Sequence, residues 1–183
     1  MNVTALALRL IVSLICMLPL HAASAQEGIE MQGPTSLSET YDAWTVQCAN
    51  QQQGEATRRL CQMSQTLLQK ESQQRVLTFA LRRSEDRAIV TLVLPFGLLL
   101  SEGFRIQIAD EEILRGDYRT CLPAGCIAET EISAEAISQL EAAETVSVLI
   151  TATSGQEIKT DISLKGFSAA YQRLTALAGS TSN

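Results

Sequence analysis

The stretch AIVTLVLPFGLLL, residues 88–100, decides the fold. It is too short for a transmembrane helix, which needs about 20 apolar residues, and Pro95 and Gly97 interrupt it. We therefore predict one fully buried strand over residues 88–94, followed by a turn and a short segment in which the chain runs back. Because the strand is apolar on both sides, it indicates cover on both faces, as in the interior of a β-sandwich.

Strands are also predicted on either side of this stretch, at residues 75–81 and 104–108. In the second of these, Phe104, Ile106 and Ile108 alternate with polar residues, which is the period of a strand buried on one face. The close spacing of the three strands along the chain favours antiparallel neighbours.

Farther upstream, alternation begins at Trp44 and continues to Cys48, which predicts another half-buried strand. The segment QQQGEATRR, residues 51–59, has no hydrophobic residue larger than alanine, so we predict an exposed loop that ends at Leu60. Residues 26–40 mix Gly, Pro, Ser, Thr and acids without apolar periodicity. They predict a flexible N-terminal segment, with order beginning near Trp44.

Downstream, residues 118–121 and 126–131 flank Leu-Pro-Ala-Gly, a turn sequence, and are predicted to form a hairpin. Ser133 has the chemistry of an N-cap for a short helix over residues 134–144. The remaining predicted elements are a second hairpin with strands over 146–150 and 158–164 and an amphipathic helix over 168–178.

Four cysteines lie beyond residue 25, and an even number in an oxidising compartment indicates two disulfides rather than reactive thiols. Three pairings are available, and sequence alone does not choose among them. Our hypothesis joins Cys48 to Cys61 and Cys121 to Cys126, because each pair flanks a short turn-like segment. Together the elements predict a mostly β, antiparallel β-sandwich-like single domain over residues 41–179, with two short helices and two disulfides.

The first 25 residues have the pattern of a signal peptide. Arg9 precedes an apolar run over residues 10–20, and a small-x-small ending predicts cleavage after Ala25. The run is too short for a membrane anchor, and Ile15 stands where lipid modification of Cys16 requires a small residue. We therefore expect a periplasmic or secreted protein with no transmembrane anchor after cleavage.

Charge and residue content restrict the classes of function. The formal net charge is −6, or about −7 after loss of Arg9, which argues against nucleic acid or an anionic membrane surface as partner. The only histidine, His21, falls in the predicted signal peptide, so Ser-His-Asp and Cys-His catalysis are excluded, as is nearly every imidazole zinc site. No phosphate-binding glycine loop is present.

Paired carboxylates are the remaining candidates for chemistry. Asp110, Glu111 and Glu112 follow a predicted strand and offer a general acid and base or calcium ligands, but they lack the alternating ligands and the glycine of a calcium loop. The ordinary interpretation, which we favour, is a solvated turn. We predict no catalytic residue, no metal and no cofactor.

Several short motifs recur in one order along the chain. They are Trp44 with Cys48, Cys61-Gln62-Met63, Leu94-Pro95-Phe96-Gly97 with Gly103, Cys121-Leu122-Pro123-Ala124-Gly125-Cys126, and Ser163-Leu164-Lys165-Gly166-Phe167. In order and spacing they resemble the invasion-associated locus B family over about residues 40–178. The resemblance implies a secreted or periplasmic bacterial protein, and founding members are linked to bacterial entry into host cells. The resemblance implies no catalytic residues for this chain.

Three residues are candidate partner contacts: Phe96, Lys165 and Phe167. A phenylalanine at a turn tip either folds under the domain as a plug, which we favour, or projects as an anchor. The single tryptophan, Trp44, is interpreted as a core residue. We predict a non-enzymatic envelope or secreted accessory protein that binds another protein or envelope component. The alternatives are a carboxylate-dependent hydrolase and a module that caps another protein's strand edge.

Overall fold

The computed structural model describes residues 36–54, 56–84 and 87–179. The predicted signal peptide and residues 26–35 of the predicted N-terminal segment lie outside these ranges. The strands are β1 (Ser36–Tyr41), β2 (Trp44–Gln53), β3 (Ala56–Leu68), β4 (Arg75–Ser84), β5 (Arg87–Leu94), β6 (Phe104–Ile108), β7 (Glu111–Gly116), β8 (Tyr118–Leu122), β9 (Gly125–Ile132), β10 (Thr145–Thr151) and β11 (Glu157–Ser163). The helices are α1 (Ala134–Ala142) and α2 (Phe167–Gly179), with a 3-10 turn at Leu100–Glu102.

The strands form two antiparallel sheets. The seven-stranded sheet has the order β1-β2-β3-β4-β5-β9-β8, and the four-stranded sheet has the order β11-β10-β6-β7. Helix α2 packs over β1 to β4 of the larger sheet. The predicted fold class, a mostly β antiparallel sandwich with two helices and two disulfides, is confirmed.

One hydrophobic cluster joins both sheets and both helices. At its centre Trp44 packs edge-to-face on Phe79 and Phe167, with ring centroids 5.7 and 5.1 Å apart. The Trp44 side chain is fully buried, and its Nε1 donates to the backbone oxygen of Ser163 at 3.0 Å. The prediction that the single tryptophan is a core residue is confirmed.

Strand β5 is buried on one face only, so the predicted cover on both faces is wrong. Alternate residues from Ala88 to Leu94 are buried, while those between them are partly exposed. After β5 the chain makes no return within the same sheet but crosses to the other one, where Leu98 forms a bridge with Ala152. Strand β6 consequently pairs with β10 and β7 rather than with β5.

Three segments without an apolar pattern are nevertheless strands. Residues 36–41 pair with β2 along their whole length, although we predicted a flexible segment through residue 40. Strands β2 and β3 extend through most of the predicted loop at 51–59 as a long hairpin. The acidic residues Asp110, Glu111 and Glu112 were predicted as a solvated turn, but strand β7 already begins at Glu111. Backbone pairing needs no particular side chain, so polar strands at an exposed edge leave no signal in hydrophobic periodicity.

The structure contains both disulfides of our hypothesis. Cys48 lies directly opposite Cys61 on β2 and β3, with 4.0 Å between the Cα atoms. Cys121 lies opposite Cys126 on β8 and β9, with 3.9 Å between the Cα atoms. The first bridge joins residues 13 apart, for which loop entropy gives about 3 kcal/mol of stabilisation. Each bridge secures the register of one hairpin.

The helices begin close to where the sequence placed them. Ser133 caps α1, because the Ala136 backbone N–H donates to Ser133 Oγ at 3.1 Å. Helix α2 buries Ala170 and Leu174 against the sheet. Neither helix in the described part of the chain is long and apolar enough to cross a bilayer.

Candidate binding surfaces

Exposed apolar side chains collect at one end of the sandwich. Six large hydrophobic side chains are exposed within the described ranges. Three of them lie in or beside the turns at the end where β5 leaves its sheet and β8 turns into β9. These three, which we call the apolar rim, are Leu68, Phe96 and Leu122.

The turn that carries Phe96 is held by two backbone hydrogen bonds at the residues that follow the ring. The Thr153 N–H donates to the Gly97 oxygen at 2.9 Å, and the Leu99 N–H donates to the Thr151 oxygen at 2.9 Å. Phe96 is 62% exposed, so the interpretation of this ring as a plug is wrong. The plug is Leu98, which is only 8% exposed.

The other two candidate contacts follow β11, beside the turn between β1 and β2. Phe167 is 1% exposed and packs on Trp44, so it is a core residue and its prediction as a partner contact is wrong. Gly166 has a φ of 85°, and a Cβ there would collide with the backbone of Tyr41, so the chain must turn tightly and direct Phe167 inward. Lys165 is exposed and forms an ion pair with Asp42 at 3.2 Å. The structure therefore does not bring the three candidates together.

A second surface feature is a cleft of about 960 Å³ beside β9, which we call the arginine cleft. Its walls come from β5, β6, β7, β9 and the crossing from β7 to β8. Four guanidinium groups line it, those of Arg87, Arg105, Arg115 and Arg119. These arginines are scattered over four strands and form no motif, so no local pattern singles them out.

The two carboxylates that β9 contributes to this cleft are neutralised by arginines. Glu129 accepts from Arg82 at 2.7 Å and from Arg119 at 3.0 Å. Glu131 accepts from Arg87 at 2.6 Å. These pairs are partly exposed, so each contributes little to stability, but together they orient the side chains along the strand.

Two further acids in the lining differ from this pattern. Glu102 and Asp117 are both exposed and line the cleft, and neither has an ion pair with any residue that the structure describes. The lining contains four arginines and four acids, so the side chains of the cleft together carry no net formal charge.

Two of the acids that follow β6, Asp110 and Glu112, form ion pairs. Asp110 lies 3.2 Å from Lys159 Nζ. Glu112 accepts two hydrogen bonds from Arg115, at 2.5 and 2.8 Å, and these lower the pKa of Glu112 from its ordinary value. Within the described ranges no three His, Cys, Asp or Glu side chains converge as metal ligands. A carboxylate held ionised by arginine is a poor proton donor for hydrolysis.

Tyr118 also lines the arginine cleft. Its hydroxyl is buried and has no hydrogen-bond partner among the described residues. Burial raises the pKa of Tyr118 to about 12, so the phenol is neutral at physiological pH.

Comparisons with known proteins agree on one family. The family model described as Invasion associated locus B (IalB) protein matches residues 44–175. An invasion protein B homolog of Brucella abortus strain 2308 is 37% identical over 147 residues, covering 79% of this chain and 83% of that protein. Invasion protein B of Bartonella bacilliformis is 28% identical over 149 residues, covering 79% and 78%. The crystal structure of invasion associated protein b from Bartonella henselae has a TM-score of 0.69 at 28% identity, covering 78% of this chain and 97% of that one.

Proposed function

This chain belongs to the invasion-associated locus B family, and on that premise we propose that it is an exported bacterial protein that binds a partner through its apolar rim. The partner is a protein or another envelope component, met in the periplasm or outside the cell. Export rests on the signal-peptide pattern of residues 1–25. The net charge of −6 disfavours nucleic acid as the partner.

The observation that carries this proposal is the exposed ring of Phe96 on a turn held by two hydrogen bonds. Clustered exposed apolar side chains on a soluble domain mark interaction surfaces, and aromatic residues contribute most of the binding energy in protein interfaces. Because the turn is already held in place, little entropy is lost when a partner covers it. Full burial of one such side chain contributes about 1.5–3 kcal/mol.

A binding role is also supported by the chemistry that the chain lacks. The only histidine is His21, and Cys48, Cys61, Cys121 and Cys126 are oxidised to disulfides. The compared relatives are named as invasion proteins rather than enzymes. The hydrolase alternative depended on Asp110, which is exposed and paired with Lys159.

Site-specific photocrosslinking in cells tests the proposal. A photoreactive phenylalanine analogue at position 96 should capture a partner that excess purified wild-type protein displaces. The matched control is the same analogue in place of Leu60, which is 41% exposed but lies away from the rim. Phe96→Ser should weaken binding about tenfold or more, and Leu60→Ser should not. Equal capture at both positions would contradict a role for the rim.

A separate measurement tests export. Fractionation of the cells, followed by N-terminal sequencing, should find the protein outside the cytoplasm with Gln26 as its first residue. A cytoplasmic protein that still begins at Met1 would overturn the assigned compartment without bearing on the rim.

A further inference from the structure

Strand β11 lies at an outer position of the four-stranded sheet, next to β10. Two backbone hydrogen bonds continue the ladder between these strands in the same register beyond its ends. The Ala152 N–H donates to the Gln156 oxygen at 2.8 Å, and the Leu164 N–H donates to the Glu144 oxygen at 2.9 Å. The even-numbered residues of β11 therefore direct their N–H and C=O groups toward β10.

The odd-numbered residues of β11 direct the same groups away from β10, because the two directions alternate along a strand. Ser163 shows this, since its oxygen accepts from Trp44 Nε1 at 3.0 Å and from Gln65 Nε2 at 2.8 Å, and both donors belong to the other sheet. Nearer the start of β11, the outward backbone groups have no hydrogen-bond partner among the residues that the structure describes. The residues that carry them are exposed, and we call them the β11 edge: Glu157, Lys159 and Asp161.

The side chains of the β11 edge alternate in charge along the strand. Arg105 of β6 forms an ion pair with Glu157, and Asp110, which follows β6, lies 3.2 Å from Lys159 Nζ. Strand β6 lies on the far side of β10, so these partners approach from across the sheet and not from beyond the edge. Both ion pairs are partly exposed and contribute little to stability, so a charge placed beyond the edge can still interact with Glu157 and Lys159.

An apolar side chain lies between these charges, on the opposite face of the strand. Ile158 is 38% exposed, although it shares its face of β11 with Ile162, which is fully buried. An added strand would pair with the outward N–H and C=O groups of the β11 edge and cover Ile158 with a side chain of its own. Charged side chains on an edge deter most strands, so complementary charge decides which strand can pair here.

A second copy of β11 offers such charge, but not in every antiparallel register. A pairing centred on Lys159 would place this residue opposite itself and Glu157 opposite Asp161, and like charges directly opposite each other are destabilising. A pairing centred on Thr160 would place Glu157 opposite Ser163, whose oxygen is already bonded to two side chains.

A pairing centred on Ile158 has neither fault. Glu157 of each copy then lies opposite Lys159 of the other, so opposite charges meet twice on one face of the paired strands. On the other face the two Ile158 side chains meet and bury their exposed surface. Because a two-fold axis relates the copies, every favourable contact occurs in duplicate.

We propose that this chain forms a symmetric dimer through β11, with Ile158 at the two-fold axis and Glu157 of each copy paired with Lys159 of the other. The two four-stranded sheets continue into one another through backbone hydrogen bonds between the two β11 strands. The dimer uses no residue of the apolar rim and does not rest on the function proposed for that surface.

Exchange of charges at the β11 edge tests the proposal, with sedimentation equilibrium of the purified chain as the measurement. Glu157→Lys places like charges opposite each other, as does Lys159→Glu, so each variant alone should self-associate at least about tenfold more weakly than the wild type. An equimolar mixture of the two variants should associate, because opposite charges meet again at both contacts. The matched control is Glu144→Lys, the same change of charge at an exposed acid outside β11, which should dimerise like the wild type.

Three results would overturn the proposal. The first is the absence of a wild-type dimer at about 1 mM. The second is undiminished self-association of Glu157→Lys. The third is a mixture of the folded variants that associates no more tightly than either variant alone.

Hydrogen exchange in the wild-type chain tests the same contact without any substitution. The Lys159 amide points outward, so it should exchange rapidly in dilute solution and more slowly as the protein concentration rises. The Thr160 amide, bonded to β10, should exchange more slowly than that of Lys159 in dilute solution. Protection of Lys159 in dilute solution would mean that the edge is covered within one chain. Either that result or exchange independent of concentration would contradict the dimer.

Discussion

Two residues apart on the same turn, Phe96 and Leu98 have opposite environments. Phe96 is 62% exposed and Leu98 is 8% exposed. Gly97 between them has a φ of 87°, which L side chains rarely adopt, and its oxygen accepts from Thr153. The backbone of this single glycine therefore decides which apolar side chain closes the core and which one faces a partner.

A comparison of two phenylalanines tests these assignments. Phe167→Ala should lower the free energy of unfolding by about 3–5 kcal/mol, because its ring is buried against Trp44. Phe96→Ala should change it by no more than about 0.5 kcal/mol, since the ring is largely solvated. Urea titrations of both variants provide the measurement. A loss of several kcal/mol for Phe96→Ala would mean that its ring is packed in solution.

At the scale of elements, strand β1 is attached to helix α2 by a carboxylate. Glu39 accepts from Arg173 Nε at 2.7 Å and from Nη2 at 2.8 Å, and also from the Tyr41 hydroxyl at 2.9 Å. The hydrogen bonds from Arg173 lower the pKa of Glu39 from its ordinary value of 4.5, and partial burial opposes this shift. An outer strand without a strong apolar pattern is thus attached to the fold by polar contacts.

Acid should loosen this attachment. Because the pKa of Glu39 is lower in the folded than in the unfolded chain, its stabilising contribution is present above pH 4.5 and is lost as pH falls through the folded pKa. Glu39→Gln should therefore be less stable than the wild type at neutral pH. Its stability should also decline less between about pH 5 and about pH 3.

Denaturant unfolding at several pH values provides the measurement for Glu39. The control is Glu144→Gln, an exposed carboxylate without an ion pair in the part of the chain that the structure describes. Glu144→Gln should follow the wild-type pH dependence. If Glu39→Gln did so too, the contact with Arg173 would contribute nothing in solution.

At the scale of the whole molecule, the two sheets and both helices share one hydrophobic cluster. Strands β4 and β5 lie at the middle of the larger sheet, and β1 and β11 lie at outer positions. Inner strands lose their hydrogen bonds only when their neighbours separate, whereas outer strands can open locally.

Native-state hydrogen exchange should follow this order. The slowest amides should belong to β4 and β5 and exchange only through global unfolding, and amides of β1 and β11 should exchange faster. NMR measurements under conditions where the domain is stable provide the comparison. Uniform protection across β1 and β5 would contradict the proposed difference between inner and outer strands.

Short sequence patterns predicted much of the architecture. Alternation between Phe104 and Ile108 predicted β6 with its bounds, the capping chemistry of Ser133 predicted the start of α1, and the turn between Cys121 and Cys126 predicted a stapled hairpin. Each of these signals depends on residues a few positions apart. Side-chain periodicity and capping act over that range, so the sequence records them directly.

The sequence by itself determined the strands with buried faces, the helices, the even number of cysteines beyond residue 25 and the absence of histidine chemistry beyond His21. Only the tertiary structure decided that β6 joins the second sheet, that Phe96 faces outward and Phe167 inward, and that an arginine cleft forms beside β9. The physical reason is the separation along the sequence of the residues that contact each other. Strand pairing uses backbone groups that every residue carries, and the cleft is built from ion pairs such as that between Arg82 and Glu129, 47 positions apart, which no local pattern specifies.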